Sequence, residues 1–307
     1  MPARAGNPDE AIIRAMNEEA IQFGPGGRLL GILTTSDAQP GASAESIVFV
    51  FLNAGLLHRP GSYRLHVRLA RALAEHGFNS LRVDLGGFGD SLAEPGLEYE
   101  QSVAADFSEI LQLLESEFGS ISVVLFGLCG GADNAVRLAV TDSRVKGMIL
   151  LDPVCEQDEG FAARARALRR KTVLRKAQDP SRYTPWLKRR LSRENVNQDR
   201  MDILSVRAMP SAEQTQAAFS ALRERQGQVL SIFTSYAMGY YNEAGQLGRV
   251  LNVPDYDAFC EEKFRPNVQH TYPFEPDRQR LIDEIKDWAS RVLRGHVSAT
   301  VSRDASR

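Results

Sequence analysis

The chain has 307 residues and a formal net charge of −2, which excludes a nucleic-acid binder that works through bulk charge. Its hydrophobic fraction of 43 % is enough for a buried globular core. No apolar run approaches the ~20 residues of a membrane-spanning helix, and the length fits one large α/β domain with an insertion or two modest domains.

Cys129, Cys155 and Cys260 lack metal-ligand spacing and leave an odd cysteine over. Met1–Ala20 carries no apolar leader, so the expected compartment is a reducing cytoplasm. The sequence has no Gly-rich dinucleotide fingerprint, no P-loop and no metal-ligand cluster, so neither a cofactor nor a metal is expected.

In chain order, the spacing of Ala11, Ile12, Ala15 and Met16 predicts a helix over Pro8–Ala20. Glu19–Phe23 and Arg28–Leu33, joined by Gly24-Pro25-Gly26-Gly27, read as a β-hairpin. Ser36–Glu45 is a polar loop. Ser46–Leu52 is almost wholly apolar, the pattern of a parallel strand covered on both faces. A helix over Tyr63–His76 follows, with Leu65, Val67, Leu69, Ala70 and Leu73 apolar, and His66 and His76 are expected at the surface. Phe78–Leu85 reads as a strand and Ser102–Phe118 as an amphipathic helix.

Ser122–Phe126 then begins a β-branched apolar strand that breaks into Gly127-Leu128-Cys129-Gly130-Gly131 and resumes as a helix near Asn134–Val140. Strand, Gly-x-nucleophile-x-Gly, helix is the pattern of a nucleophile elbow, here with cysteine at its centre. The flanking glycines leave room for strand and helix to meet on a strained backbone. The helix N-terminus favours a thiolate at Cys129 and an oxyanion beside it. The plainer alternative is a buried structural cysteine in a Gly-rich turn.

Val145–Leu151 reads as the next strand, closed by Asp152-Pro153. Residues 155–212 lack a strand-like run and read as a helical cap inserted into a core of residues 1–154 and 213–307. Arg164–Arg193 holds twelve Lys and Arg against the single acid Asp179, with Tyr183 and Trp186 inside the run. That stretch is either a solvated basic face or a dock for an acidic partner or phosphate-bearing substrate. Gly227–Thr234 returns to strand, and Asn242–Val250 reads as a helix. Pro266–Tyr272 reads as a short last strand and turn, Pro276–Arg294 as a closing helix, and His296–Arg307 as a disordered tail. Repeated strand–helix units imply a mostly parallel sheet with helices on both faces, and ligands bind such sheets at the carboxyl ends of the strands.

A cysteine nucleophile needs an imidazole to exchange protons with it and with the leaving group. Chains built on this elbow run in the order nucleophile, acid, histidine, and His270 stands where the histidine belongs. The backbone N–H of Gly130, with that of Leu56 or Gly55 in the turn after Ser46–Leu52, should form the oxyanion hole. The acid is the gap, because Ser235–Asn242 contains no aspartate. Glu243 and Asp152 are the candidates, with Asp152 preferred. A Cys–His pair without an acid is a third possibility, since a thiol is acidic to begin with.

Asn53–Arg64, the helix with Val67–Arg71, Arg82–Ser91, the elbow, and His270 with the final Trp288 helix together resemble the α/β-hydrolase superfamily. They are especially similar to exosortase-system-associated hydrolases and to hydrolases of biosynthetic clusters. The resemblance covers the core and not the cap. It departs from the usual pattern in its cysteine, as dienelactone hydrolase and some biosynthetic thioesterases do, and in lacking the usual acid.

Together these readings predict acyl chemistry through a covalent Cys129 intermediate, as a thioesterase, esterase or acyltransferase. The donor would be an acyl ester or thioester, carried by an acidic acyl carrier protein or as a coenzyme A ester docked at the basic cap. Arg59 and Arg64 are candidates for binding a carboxylate or phosphate near the pocket, with bracing of the loop as the plainer alternative. The alternative is an impaired hydrolase-like protein that binds a ligand.

Overall fold

A computed structural model describes residues 16–36, 45–177 and 209–304. Its frame is one eight-stranded sheet. In chain order the strands are β1 Met16–Phe23, β2 Leu29–Ser36, β3 Ser46–Phe51, β4 Asn79–Asp84, β5 Ile121–Leu128, β6 Val145–Leu151, β7 Gln228–Thr234 and β8 Cys260–Arg265. Their spatial order is β1-β2-β4-β3-β5-β6-β7-β8. The β1–β2 and β2–β4 pairings are antiparallel, and every later pairing is parallel.

Strand periodicity explains why the central strands are apolar throughout. In β3, Val48 and Val50 face one side while Phe49 and Phe51 face the other; in β5, Val123 and Leu125 oppose Val124 and Phe126. On the first side, α2 (Tyr99–Phe118), α3 (Gly130–Ala139) and α5 (Ala212–Glu224) contribute Phe107, Ala135 and Phe219. On the second, α1 (Leu65–Ala74) and α8 (Glu275–Asp304), which follows the short α6 (Gln246–Leu251) and α7 (Tyr256–Phe259), contribute Leu69 and Trp288. Both faces are therefore dry, and each large side chain placed there stabilises the fold by about 1.5–3 kcal/mol. This is the α/β-hydrolase arrangement, with the carboxyl ends of β3, β5, β6 and β7 at one edge of the sheet.

Several expectations need correction. The segment Met16–Ala20, expected as the end of a helix, is strand, because β1 pairs along its whole length with β2 from Met16↔Ser36 to Phe23↔Leu29. The rest of that expected helix lies outside the described residues. The last strand is Cys260–Arg265, not Pro266–Tyr272. It is a charge-rich edge strand, so it lacks the apolar signature of its neighbours. The final helix continues through the expected tail to Asp304. His66, expected at the surface, is fully buried between Phe51 and Phe126, with ring centroids 5.4 Å from each. Burial pushes its pKa down to about 4 and keeps the ring neutral.

Of the expected cap, the structure describes α4 (Phe161–Ala177) and the start of α5. The second part of the basic run, residues 178–193 with Tyr183 and Trp186, lies outside the described residues. Among the described residues, no helix is long and apolar enough to cross a membrane.

Candidate active site

The site grows from the end of β5. A Cβ added at Gly127 would stand 2.1 Å from the backbone C and O of Gly131, and one added at Gly131 would stand 2.8 Å from the carbonyl oxygen of Asn53. Those approaches let α3 begin immediately after the strand. They also force Cys129 into φ 57°, ψ −118°, a conformation that costs a non-glycine residue about 1–3 kcal/mol. The Cys129 carbonyl accepts the Ala132 and Asp133 N–H groups at 2.9 and 3.1 Å, while its side chain does not cap the helix. The thiol is presented at the turn, over the helix N-terminus.

The packing at Gly127 makes a sharp prediction. Gly127→Ala meets rigid backbone, so it should cost roughly 3 kcal/mol and lower the melting temperature by about 5 °C. Gly239→Ala, whose Cβ would meet nothing within 4 Å, should leave the melt unchanged. Thermal unfolding of the two variants side by side checks the pair.

His270 lies in the turn between β8 and α8. Its Nδ1 donates to Asp152 Oδ2 at 2.6 Å. Asp152 closes β6 at φ 50° and is wholly buried. Its Oδ1 accepts the Thr234 N–H and its Oδ2 the Thr234 hydroxyl, both at 2.6 Å, so the end of β7 aims the carboxylate at the ring. Tyr236 stacks on the imidazole at 4.0 Å and 21°. The Cys129 side chain hydrogen-bonds His270, and because Nδ1 is committed to Asp152, the nitrogen facing the sulfur is Nε2. Burial works to lower the His270 pKa. The hydrogen bonds and charges of Asp152 and Cys129 outweigh it and raise the pKa to about 9.

The two expected acids are thus separated by position. Asp152 touches His270, whereas Glu243 pairs with Arg249 at 2.8 Å and Arg164 at 3.5 Å and does not reach the imidazole. The Gly130 N–H opens α3, where helical N–H groups have no intrahelical partner. The loop after β3 comes alongside it: a Cβ on Gly130 would lie 3.5 Å from the Gly55 nitrogen. Leu56 follows in that loop with its side chain 86 % exposed, so any part it plays is through its backbone.

Arg59 takes the bracing role of its two expected ones: its guanidinium is held by Asp84 and Asp90 and ties the loop down. Arg64 is exposed, in a left-handed conformation just before α1. His58, Asp84 and Asp90 bring potential ligand atoms within 4.8 Å of one another. The Arg59 guanidinium bridges the two carboxylates there and supplies the positive charge that a cation would otherwise bring.

Sequence reasoning did not single out Thr234, Tyr236, Asn53 or Asp84. Thr234 and Tyr236 occupy the end of β7 and the stretch after it, which contains no aspartate. The available signal was a polar and an aromatic residue at a strand end pointing toward the active edge.

An elbow of this kind on a central strand of a largely parallel sheet puts the chain among the α/β-hydrolases. Within them it belongs to the family described as serine aminopeptidase, S33, whose model matches residues 49–224. Human Protein ABHD12B is 32 % identical over 92 residues, which make up 30 % of this chain and only 24 % of the human protein. Three solved structures share the fold at low identity. An esterase of Pyrococcus furiosus is 11 % identical with a TM-score of 0.55, covering 95 % of this chain and 96 % of its own. A thermostable carboxyl esterase of Bacillus coagulans is 14 % identical with a TM-score of 0.54, covering 91 % and 99 %. Est1E of Butyrivibrio proteoclasticus is 12 % identical with a TM-score of 0.54, covering 89 % and 98 %. The family is named for serine, and this chain carries Cys129 at the elbow.

Proposed function

We propose that the protein cleaves esters or thioesters through a covalent acyl intermediate on Cys129. The observation that carries this reading is the line from Asp152 through His270 to Cys129, with a 2.6 Å contact between carboxylate and imidazole. The Cys129 sulfur attacks the carbonyl carbon, and its proton resides on His270 Nε2. The N–H groups of Gly130 and Leu56 hold the oxyanion as charge moves onto the carbonyl oxygen. The tetrahedral intermediate collapses, the bond to the leaving oxygen or sulfur breaks, and that atom takes the His270 proton. Neutral His270 then draws a proton from water, which attacks the thioester and releases the acid and the thiol. An amine or alcohol in place of water would give transfer, and the activated thioester makes that route open to this chemistry.

A donor held on coenzyme A or an acidic carrier would be drawn to the basic run Arg164–Arg193. The Asp152 contact with His270 supports this reading over that of an impaired hydrolase-like protein that binds a ligand.

The test is intact-mass spectrometry after mixing the protein with a panel of p-nitrophenyl esters, alkyl thioesters and acyl-coenzyme A. The expected result is a mass gain equal to the acyl group, absent in Cys129→Ala. A panel that yields neither adduct nor turnover would overturn the proposal. Decay of the adduct in water against decay with added amines separates hydrolase from transferase.

A further inference from the structure

We infer that Asp84 and Arg59 are positioning residues that hold the oxyanion loop against the elbow, an inference that rests on the acyl chemistry proposed above. Residues 53–61 leave β3 and reach α1 with little secondary structure of their own. Within the loop, Leu57 N–H donates to the Ala54 carbonyl at 3.2 Å and Gly61 N–H to the His58 carbonyl at 2.9 Å. His66 N–H donates to the Pro60 carbonyl at 3.1 Å, and a buried polar strut restrains the first half of the loop. Asn53 Nδ2 donates to the Leu57 carbonyl and to Asp84 Oδ1, both at 2.9 Å, while Asn53 Oδ1 accepts the Leu85 N–H at 2.8 Å. Asp84 Oδ1 also accepts the Arg59 N–H at 2.6 Å, and its Oδ2 accepts the Arg59 guanidinium. The same guanidinium reaches exposed Asp90 at 2.7 Å.

Asp84 itself cannot shift. It is fully buried, its backbone carbonyl accepts the Ser91 hydroxyl at 2.6 Å, and Gly89 packs so closely that a Cβ there would stand 2.2 Å from Asp84 Oδ2. One carboxylate thus fixes the loop at Arg59 directly and at Leu57 through Asn53. Leu56 lies between Gly55, which faces Gly130, and Leu57, which the strut pins. An oxyanion donor works only at 2.7–3.1 Å from the developing charge, so a slack loop loses transition-state stabilisation without losing the nucleophile.

That separation supplies the test. Iodoacetamide alkylates a thiolate by displacing iodide and builds no oxyanion, whereas p-nitrophenyl acetate acylates through one. In Asp84→Asn the new amide sets a donor against the Arg59 guanidinium, and acylation should slow by about 10²-fold. Arg59→Met, which leaves Asp84 bonded to Asn53 and to the loop backbone, should slow it by roughly tenfold. Cys129 alkylation should stay within about twofold of the wild type in both variants. If Asp84→Asn does not fold, Arg59→Met carries the comparison alone. Equal loss of both reactions, or loss of neither, would overturn the inference. A wild-type protein that is alkylated but never acylated would instead sink the acyl-transfer reading, and this inference with it.

Discussion

Cys129→Ala is expected to lower ester turnover by on the order of 10⁴-fold or more, while Cys129→Ser should keep a measurable part of it. The alanine variant loses the sulfur proposed to bond to the acyl group, and the Ala side chain offers no atom to replace it. The serine variant keeps an oxygen at the same position, within reach of an imidazole already held by Asp152 at 2.6 Å. A serine hydroxyl is far less acidic than a thiol, so it depends wholly on that imidazole for activation, a contribution worth about 10²–10⁴-fold. The serine rate should therefore fall between those of the alanine variant and the wild type. The measurement is kcat/KM on p-nitrophenyl acetate for the three proteins, with intact mass to detect an oxygen ester. Serine activity equal to that of alanine, in a folded protein, would mean that His270 does not act as a base at this position. Wild-type rates in the alanine variant would remove Cys129 from the mechanism.

The parts of this site that lie close together in sequence were legible, and the parts assembled by the sheet were not. Gly127, Cys129 and Gly131 are spaced by the local needs of a strand-to-helix turn, so they stand out wherever the chain folds. The apolar runs of β3, β5 and β6 announce burial on both faces for the same local reason. Asp152 was only slightly preferred over Glu243, because the choice depends on which strand end lies beside His270. That follows from the order β6-β7-β8 and from Thr234, 82 positions away, which aims the carboxylate. The strand β8 was missed because Glu261, Glu262 and Lys263 give it the composition of a surface loop. His66 was misread for the opposite reason. It shares a helix face with Leu69 and Leu73, and a neutral imidazole between two phenylalanines behaves as an aromatic core residue.

The second large effect concerns Asp152, and it shows in the pH profile as well as in the rate. His270 carries its proton up to about pH 9. Burial acts against this, and the Asp152 and Cys129 side chains more than compensate. Below that pH the imidazolium can protonate a leaving alkoxide, and above it the proton is gone, so turnover of an alkyl ester should fall about tenfold per pH unit beyond 9. Asp152→Asn takes away the negative charge and leaves the burial unchanged. The His270 pKa must then move down, and the alkaline limb should shift toward acid by more than one unit. At pH 8 the same change should cost on the order of 10²-fold in kcat/KM, less than in a serine enzyme, because the thiol ionises more readily without help. The substrate must be an alkyl ester, since a p-nitrophenolate leaves without a proton and would hide the limb. A profile of kcat/KM from pH 6 to 10 for wild type and Asp152→Asn decides the matter. If the alkaline limb stays in place when the charge is removed, Asp152 is not what holds the proton on His270, and the buried carboxylate serves only to tie β6 to Thr234.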